Sequence, residues 1–171
     1  LSFVGTYSGH KFQPESEGRA DFGCDYAPKT MVDPGERRIW WGWIRERRSV
    51  DAQKAAGWSG VMSLPRVLSL RVDNTLGMEP APEVKRLRGK RQQLRGVGVR
   101  PDGSSLLKGI AGDCLEILAE FEPSEAAEVG LRLRCSPDGS EQTVVAWNRA
   151  AKTLFCDTRR ASLDPETLRG V

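Results

Sequence analysis

Histidine occurs once in this sequence, at His10, and the four cysteines (Cys24, Cys114, Cys135, Cys156) include no Cys-x-x-Cys pair. A zinc or iron–sulfur centre needs several such ligands at short spacing, so the sequence implies no metal site and no cofactor. No run approaches the roughly eighteen consecutive apolar residues that span a bilayer, and no membrane partner is expected. No secretory signal peptide is visible either. The chain starts at Leu1 within a strand-like run, so the compartment, secreted or cytoplasmic, stays open. A strong charge bias is also missing. The net charge is +3, with acids and bases interspersed, which excludes the basic footprint of a nucleic-acid binder. The one local exception, Lys85, Arg86, Arg88, Lys90, Arg91 and Arg95, reads as a solvated linker or short helix rather than a polyanion site.

What is present suggests folded β-structure. The chain has 171 residues, 39% of them hydrophobic, enough for one domain or two small ones with a core. Cys114, Cys135 and Cys156 lie in apolar runs and read as buried free thiols. The densest chemistry lies in Asp21 to Ile44, DFGCDYAPKTMVDPGERRIWWGWI. Two extended runs, Lys29 to Asp33 and Arg37 to Ile44, form a hairpin about Asp33-Pro34-Gly35-Glu36, where Pro supplies a fixed φ and Gly a permissive one. Strand periodicity puts Trp41 and Trp43 on one face and Trp40 on the other. Gly42 marks a place where a neighbour's backbone or a ligand comes close. An apolar plate beside acids suits a sugar. Composition alone, however, favours ordinary sheet-core tryptophan.

This stretch, with GWSGVMSLPRVLSL at Gly57 to Leu70 and FVGTYSGHKFQPE at Phe3 to Glu15, resembles glycoside hydrolase family 32, the invertases, levanases and inulinases. In the C-terminal half, GDCLEILAEFEP and GLRLRCSPDGSEQTVV resemble the β-sandwich that follows the family's catalytic domain. The resemblance implies an all-β chain: residues 1–78 as the last blades of a five-bladed β-propeller, and residues 79–171 as an incomplete C-terminal β-sandwich. It implies hydrolysis of terminal β-D-fructofuranosyl residues of sucrose or fructans (levan, inulin) by retaining double displacement, without a cofactor. A retaining enzyme needs a nucleophile and an acid/base carboxylate about 5–5.5 Å apart. The family carries its catalytic residues in Asn-Asp-Pro-Asn, Arg-Asp-Pro and Glu-Cys motifs, and none occurs here. The expectation is therefore no catalytic residue in this chain, which reads as the C-terminal part of an enzyme, inactive alone. The alternatives are a non-catalytic carbohydrate-binding or structural β-protein, or a fructosyltransferase of the same family.

The resemblance also assigns a supporting shell. Asp21 matches an acidic position near the acid/base glutamate and the adjoining sugar; its competing role is a turn aspartate bonding its own backbone. Tyr26 matches a tyrosine that offers its hydroxyl to sugar, against a plain sheet tyrosine. Trp43, near its strand's end, is the expected pocket wall. Lys29 reads as a surface lysine. Cys24 stands where plant members carry a lysine that pairs with the acid, so glucose-side recognition is not carried over. Arg66 is expected to tie propeller to sandwich.

Along the chain, strands are expected at Leu1 to Tyr7, Trp58 to Leu64 and Arg66 to Val72, with Glu15 to Gly18 a polar loop and Arg45 to Ala56 a loop or poor helix. A blade takes about 40–45 residues in the best-known repeat, so residues 1–78 supply fewer than two and cannot bury their faces alone. Met78 to Pro82 is the expected boundary, and Glu83 to Gln93 a short helix. Beyond it, Asp113 to Glu122, Leu131 to Cys135, Glu141 to Trp147 and Thr153 to Cys156 are expected strands, with a turn at Pro137-Asp138-Gly139-Ser140; Asp113 to Gly130 competes as helix by propensity, and the resemblance decides for strand.

Overall fold

The computed structural model describes residues 1–101, 106–122 and 125–170. Among the described residues the regular elements are mostly strands, with one short α-helix and one 3-10 turn, and the chain divides into two compact units, Leu1–Leu87 and Arg88–Val171.

In the first unit, β1 (Ser2–Ser8) and β2 (Lys11–Gly18) form an antiparallel hairpin turned by Gly9 and His10, both at positive φ. The segment Glu15 to Gly18, expected as a loop, belongs to β2. Its polar side chains do not prevent pairing, because the ladder uses only backbone groups. A second sheet runs β3 (Asp25–Val32), β4 (Arg38–Ile44), β6 (Arg66–Leu70), β7 (Leu76–Pro80), with the two-residue β5 (Val61–Met62) also paired to β4. The expected strand over Trp58 to Leu64 shrinks to β5. Met78, Glu79 and Pro80 lie inside β7, on whose path Pro80 is the last residue. A terminal edge position is where a strand tolerates the missing N–H.

The β3–β4 turn forms where the sequence places it, by a different device. The left-handed residue is Glu36 (φ 61), not Gly35. Asp33 makes this affordable by accepting from the Gly35 and Arg37 N–H groups at 3.0 and 2.9 Å. Its other oxygen takes the Arg37 guanidinium at 2.6 Å, and these Arg37 bonds hold the Asp33 carboxyl below its ordinary range. After β4, α1 (Val50–Ala56) is capped by Ser49 Oγ, which accepts from the Ala52 N–H, and by Gly57 at φ 75. It buries no residue. A 3-10 turn, Pro82–Leu87, stands where a longer helix was expected.

In the second unit, β8 (Glu128–Leu133), β9 (Gln142–Asn148) and β10 (Thr153–Arg160) form one antiparallel sheet in the order β10-β9-β8. The turn at Pro137 to Ser140 closes with Gly139 N donating to Ser136 O at 2.9 Å. Leu131 and Leu133 are half-buried as the alternation requires, but Cys135 is exposed. Cys114 and Cys156 are exposed as well, so all four thiols are free and three of the four are open to solvent. Asp113 to Glu122 is neither strand nor helix: Leu115, Ile117 and Phe121 alternate correctly but are 57%, 46% and 38% exposed. Alternation makes a strand only where a neighbour supplies ladder partners, and among the described residues this segment has none. The described residues of this unit therefore hold one sheet, where a sandwich needs two.

The core is thin. Among the described residues only Ile39, Ala81 and Ala146 are buried hydrophobics. The accessible surface is 14112 Å² for 18.9 kDa. Two separate compact proteins of half this mass would together expose about 10,000 Å². The apolar faces of these sheets are formed but not covered.

Candidate functional site

The parity of β3 and β4 organises the chemistry. Asp25 pairs in register with Ile44 and Tyr26 with Trp43, so the adjacent residues Asp25 and Tyr26 point to opposite faces of the sheet. Arg66 on β6 is in register with Trp40 and shares its face.

On the Trp40 face the Asp25 side chain is fully removed from solvent. Trp40 Nε1–H donates to its Oδ2 at 3.1 Å, and Arg66 Nη2 pairs with the same oxygen. The Arg66 guanidinium carbon lies 5.7 Å from the Trp40 ring centroid, a cation–π contact. Through Nη1, Arg66 also reaches Asp21 Oδ2 at 2.9 Å. Asp21 Oδ1 accepts from the Gly23 N–H at 2.8 Å. Asp21 is thus both a turn aspartate and an ion-pair partner. Partial burial pushes its carboxyl up, but the bonds from Arg66 and Gly23 outweigh this and leave it below the ordinary 3.8. Gly42 accounts for the packing: a Cβ there would overlap Asp25 Oδ1 and Cγ and stand 2.7 Å from Oδ2. The close approach expected at Gly42 is made by a carboxylate.

On the opposite face Tyr26 and Trp43 meet edge-to-face, with centroids 6.2 Å apart and planes at 73°. The Arg45 guanidinium sits 4.9 Å from the Tyr26 ring centroid and 6.0 Å from that of Trp43. Trp43 Nε1–H donates to Ser59 O at 3.2 Å. Tyr26 is 54% exposed and Trp43 38%. Just after Tyr26 the register shifts, and Ala27 takes a positive φ of 46°. A bulge of this kind re-aims a side chain.

Of the three residues expected to support a sugar site, the structure brings Tyr26 and Trp43 into contact and joins Asp21 to Arg66 and the Trp40 face. Lys29 is exposed and Cys24 half-buried. Arg66, expected to tie propeller to sandwich, pairs through Nη1 and Nη2 with Asp21 and Asp25. Sequence reasoning missed the structural weight of Asp25, Trp40 and Arg66. Their only local signal was shared parity: Trp40 and Gly42 lie on one strand face, with an acid opposite. Among the described residues no group of three or more His, Cys, Asp or Glu could hold a metal ion.

Comparison with known proteins places this chain in a family. The model of the glycosyl hydrolases family 32 N-terminal domain matches residues 1–80, and that of the family 32 C-terminal region matches residues 83–169. The chain belongs to glycosyl hydrolase family 32. It is 30% identical to the levanase of Bacillus subtilis (strain 168), over 95% of this chain and 26% of the levanase. It is 36% identical to the acid beta-fructofuranosidase of Vicia faba, over 64% of this chain and 17% of that protein. The crystal structure of fructan 1-exohydrolase IIa from Cichorium intybus superposes with a TM-score of 0.73 at 22% identity, covering 99% of this chain and 41% of that one. The family 32 chain thus spans about a quarter of the levanase, and the structural likeness speaks for its fold.

Proposed function

We propose that this family 32 chain is part of a β-fructofuranosidase-type hydrolase. The reaction is release of terminal β-D-fructofuranosyl residues from sucrose or fructans by retaining double displacement, with no cofactor. The observation that carries the reading is that both family models match in order across nearly the whole chain. The names of its relatives, levanase and acid beta-fructofuranosidase, supply the substrate class. None of the three catalytic motifs occurs in the sequence, so this reading puts the nucleophile and the acid/base on residues outside these 171. The large uncovered apolar surface supports sheets that complete themselves against further β-structure, as the last blades of a five-bladed propeller (residues 1–78) and part of a sandwich (residues 79–171) would.

Asp21 supplies the chemistry this chain brings to a sugar. An ionised carboxylate accepts only, and beside the Gly23 and Arg66 donors the Asp21 oxygens keep acceptor capacity for a sugar hydroxyl. Tyr26 and Trp43 offer an aromatic wall and a phenolic hydroxyl. The second reading, a carbohydrate-binding or structural β-protein, is favoured by the missing motifs. A third, a transferase, is favoured by 30% identity to the 6(G)-fructosyltransferase of Asparagus officinalis over 80% of this chain.

The test is sugar release from sucrose, levan and inulin by this chain alone, and by this chain fused behind the remaining N-terminal part of a levanase. Fructose from the fusion only is the expected result. Activity of the chain alone would move the search to Asp21, Asp25 and Glu46. Binding without release by the fusion favours the second reading, and fructosyl oligomers among the products favour the third.

A further inference from the structure

Asp25 is an unusual residue to bury. Its side chain is fully out of water, yet among the described residues Oδ1 has no hydrogen-bond partner, and neither does the buried Arg66 Nε. A buried, half-satisfied charge costs stability. What the arrangement achieves is geometric. Trp40 Nε1 and the bare Gly42 backbone seat Asp25, Asp25 and the Trp40 ring seat Arg66, and Arg66 in turn holds Asp21, whose side chain keeps 24% of its surface exposed. Asp21 itself sits on a loop between β2 and β3, where its other anchors are backbone N–H groups, that of Gly23 at 2.8 Å and that of Asp25. Without the guanidinium, backbone donors alone would hold it.

We infer that Arg66, seated on Asp25, is the positioning residue of the site: it fixes the Asp21 carboxylate for a fructosyl or glucosyl hydroxyl. The inference rests on the reading that Asp21 meets sugar. Arg66 does not touch the sugar; it sets where Asp21 stands and keeps a positive charge beside it. A guanidinium can grip two carboxylates from one planar fork, whereas a lysine offers a single point charge, so Lys at position 66 should restore the charge but not the geometry.

The experiment is carbon-13 NMR of the 171-residue chain labelled at the aspartate carboxyls, kept folded with the excluded osmolyte TMAO, in R66K, R66Q, D21N and R66Q/D21N forms. Each is titrated with acid and then with a β-2,1-linked fructo-oligosaccharide. In the wild-type chain Asp21 titrates below its ordinary value and its signal moves with sugar. In R66Q it returns to or above the ordinary carboxylate value and sugar affinity, followed on neighbouring amides, falls about tenfold, or about 1.4 kcal/mol. In R66K the titration stays low while affinity still falls. R66Q/D21N binds no worse than D21N, because Arg66 acts through Asp21. Additive losses, or an R66K or R66Q chain that binds as the wild type does while D21N does not, overturn the positioning role and leave the sugar reading of Asp21 intact. A D21N chain that binds sugar like the wild type, or a wild-type chain that binds none, overturns both. If R66Q does not fold, R66K carries the same comparison.

Discussion

Substituting Gly42 by Ala is the sharpest probe of the Asp25 seat. Gly42 is buried in β4 at negative φ, so an alanine there carries no backbone strain. At an unobstructed strand position, replacing Gly by Ala stabilises by about 0.4–1 kcal/mol through the unfolded chain. Here the new Cβ would overlap Asp25 Oδ1 and Cγ, so the carboxylate has to leave. Leaving means giving up the Trp40 bond and the Arg66 pair, and overpacking costs about 1–3 kcal/mol even without that loss. A destabilisation of about 3 kcal/mol is expected. The control is Gly18 in β2, also at negative φ, whose added Cβ would meet only Ser2 Oγ at 3.7 Å. Urea unfolding in TMAO, followed by tryptophan fluorescence, reads both. With a slope of about 2 kcal/mol/M, Gly42→Ala lowers the midpoint by about 1.5 M, or abolishes the folded baseline, while Gly18→Ala leaves the midpoint equal or slightly higher. Equal midpoints for the two variants would show that the carboxylate does not occupy the space over Gly42.

The indole donors should differ in weight: Trp40→Phe removes a bond to a charged, buried acceptor and should cost about 2 kcal/mol, whereas Trp43→Phe removes a bond to an exposed carbonyl and should cost under about 1 kcal/mol. Urea midpoints of the two variants check this, and the reverse order would refute it. Glu46, bonded by Arg48 and by two backbone N–H groups, has its carboxyl held down at about 2 against an ordinary 4.5. A depressed carboxyl stabilises above its unfolded value and loses that contribution as pH falls through the folded one. The stability gap between wild type and Glu46→Gln should therefore be full at pH 6 and shrink from about pH 4.5 toward pH 2, measured by urea midpoints. Thiol labelling of the folded chain with a chromogenic disulfide should show Cys114, Cys135 and Cys156 reacting in a fast phase and half-buried Cys24 in a slower one.

The parts legible in the sequence are those governed by neighbours along the chain. The β3–β4 hairpin follows from a turn tetrapeptide between two β-rich runs, and the split of Trp40 from Trp41 and Trp43 follows from strand parity. Even there the device differs: Asp33 caps the turn, and Glu36 rather than the permissive Gly35 takes the left-handed conformation. Asp113 to Glu122 shows the opposite limit. Its alternation is a statement about one segment, while a strand is a statement about two, and among the described residues no strand joins it in a ladder. The same reasoning explains the exposed thiols: an apolar run is buried only if something packs over it.

The candidate site failed to be legible for a related reason. Arg66 finds Asp21 and Asp25 across 45 and 41 residues, and an ion pair at that separation leaves no local pattern. Because Asp25 and Tyr26 are consecutive in one strand, they cannot face the same way, so Tyr26 and Trp43 could never share a sheet face with Asp25 and Trp40. A single constellation of Asp21, Tyr26 and Trp43 therefore requires Asp21 to reach around the sheet. The Arg66 pair instead places Asp21 with Asp25 and Trp40. If this family 32 chain binds fructosyl units with both groups, the sugar must meet the carboxylate and the aromatic pair from two sides of one β-sheet end. That makes Asp21, rather than Trp43, the residue whose loss should weaken every fructan tested.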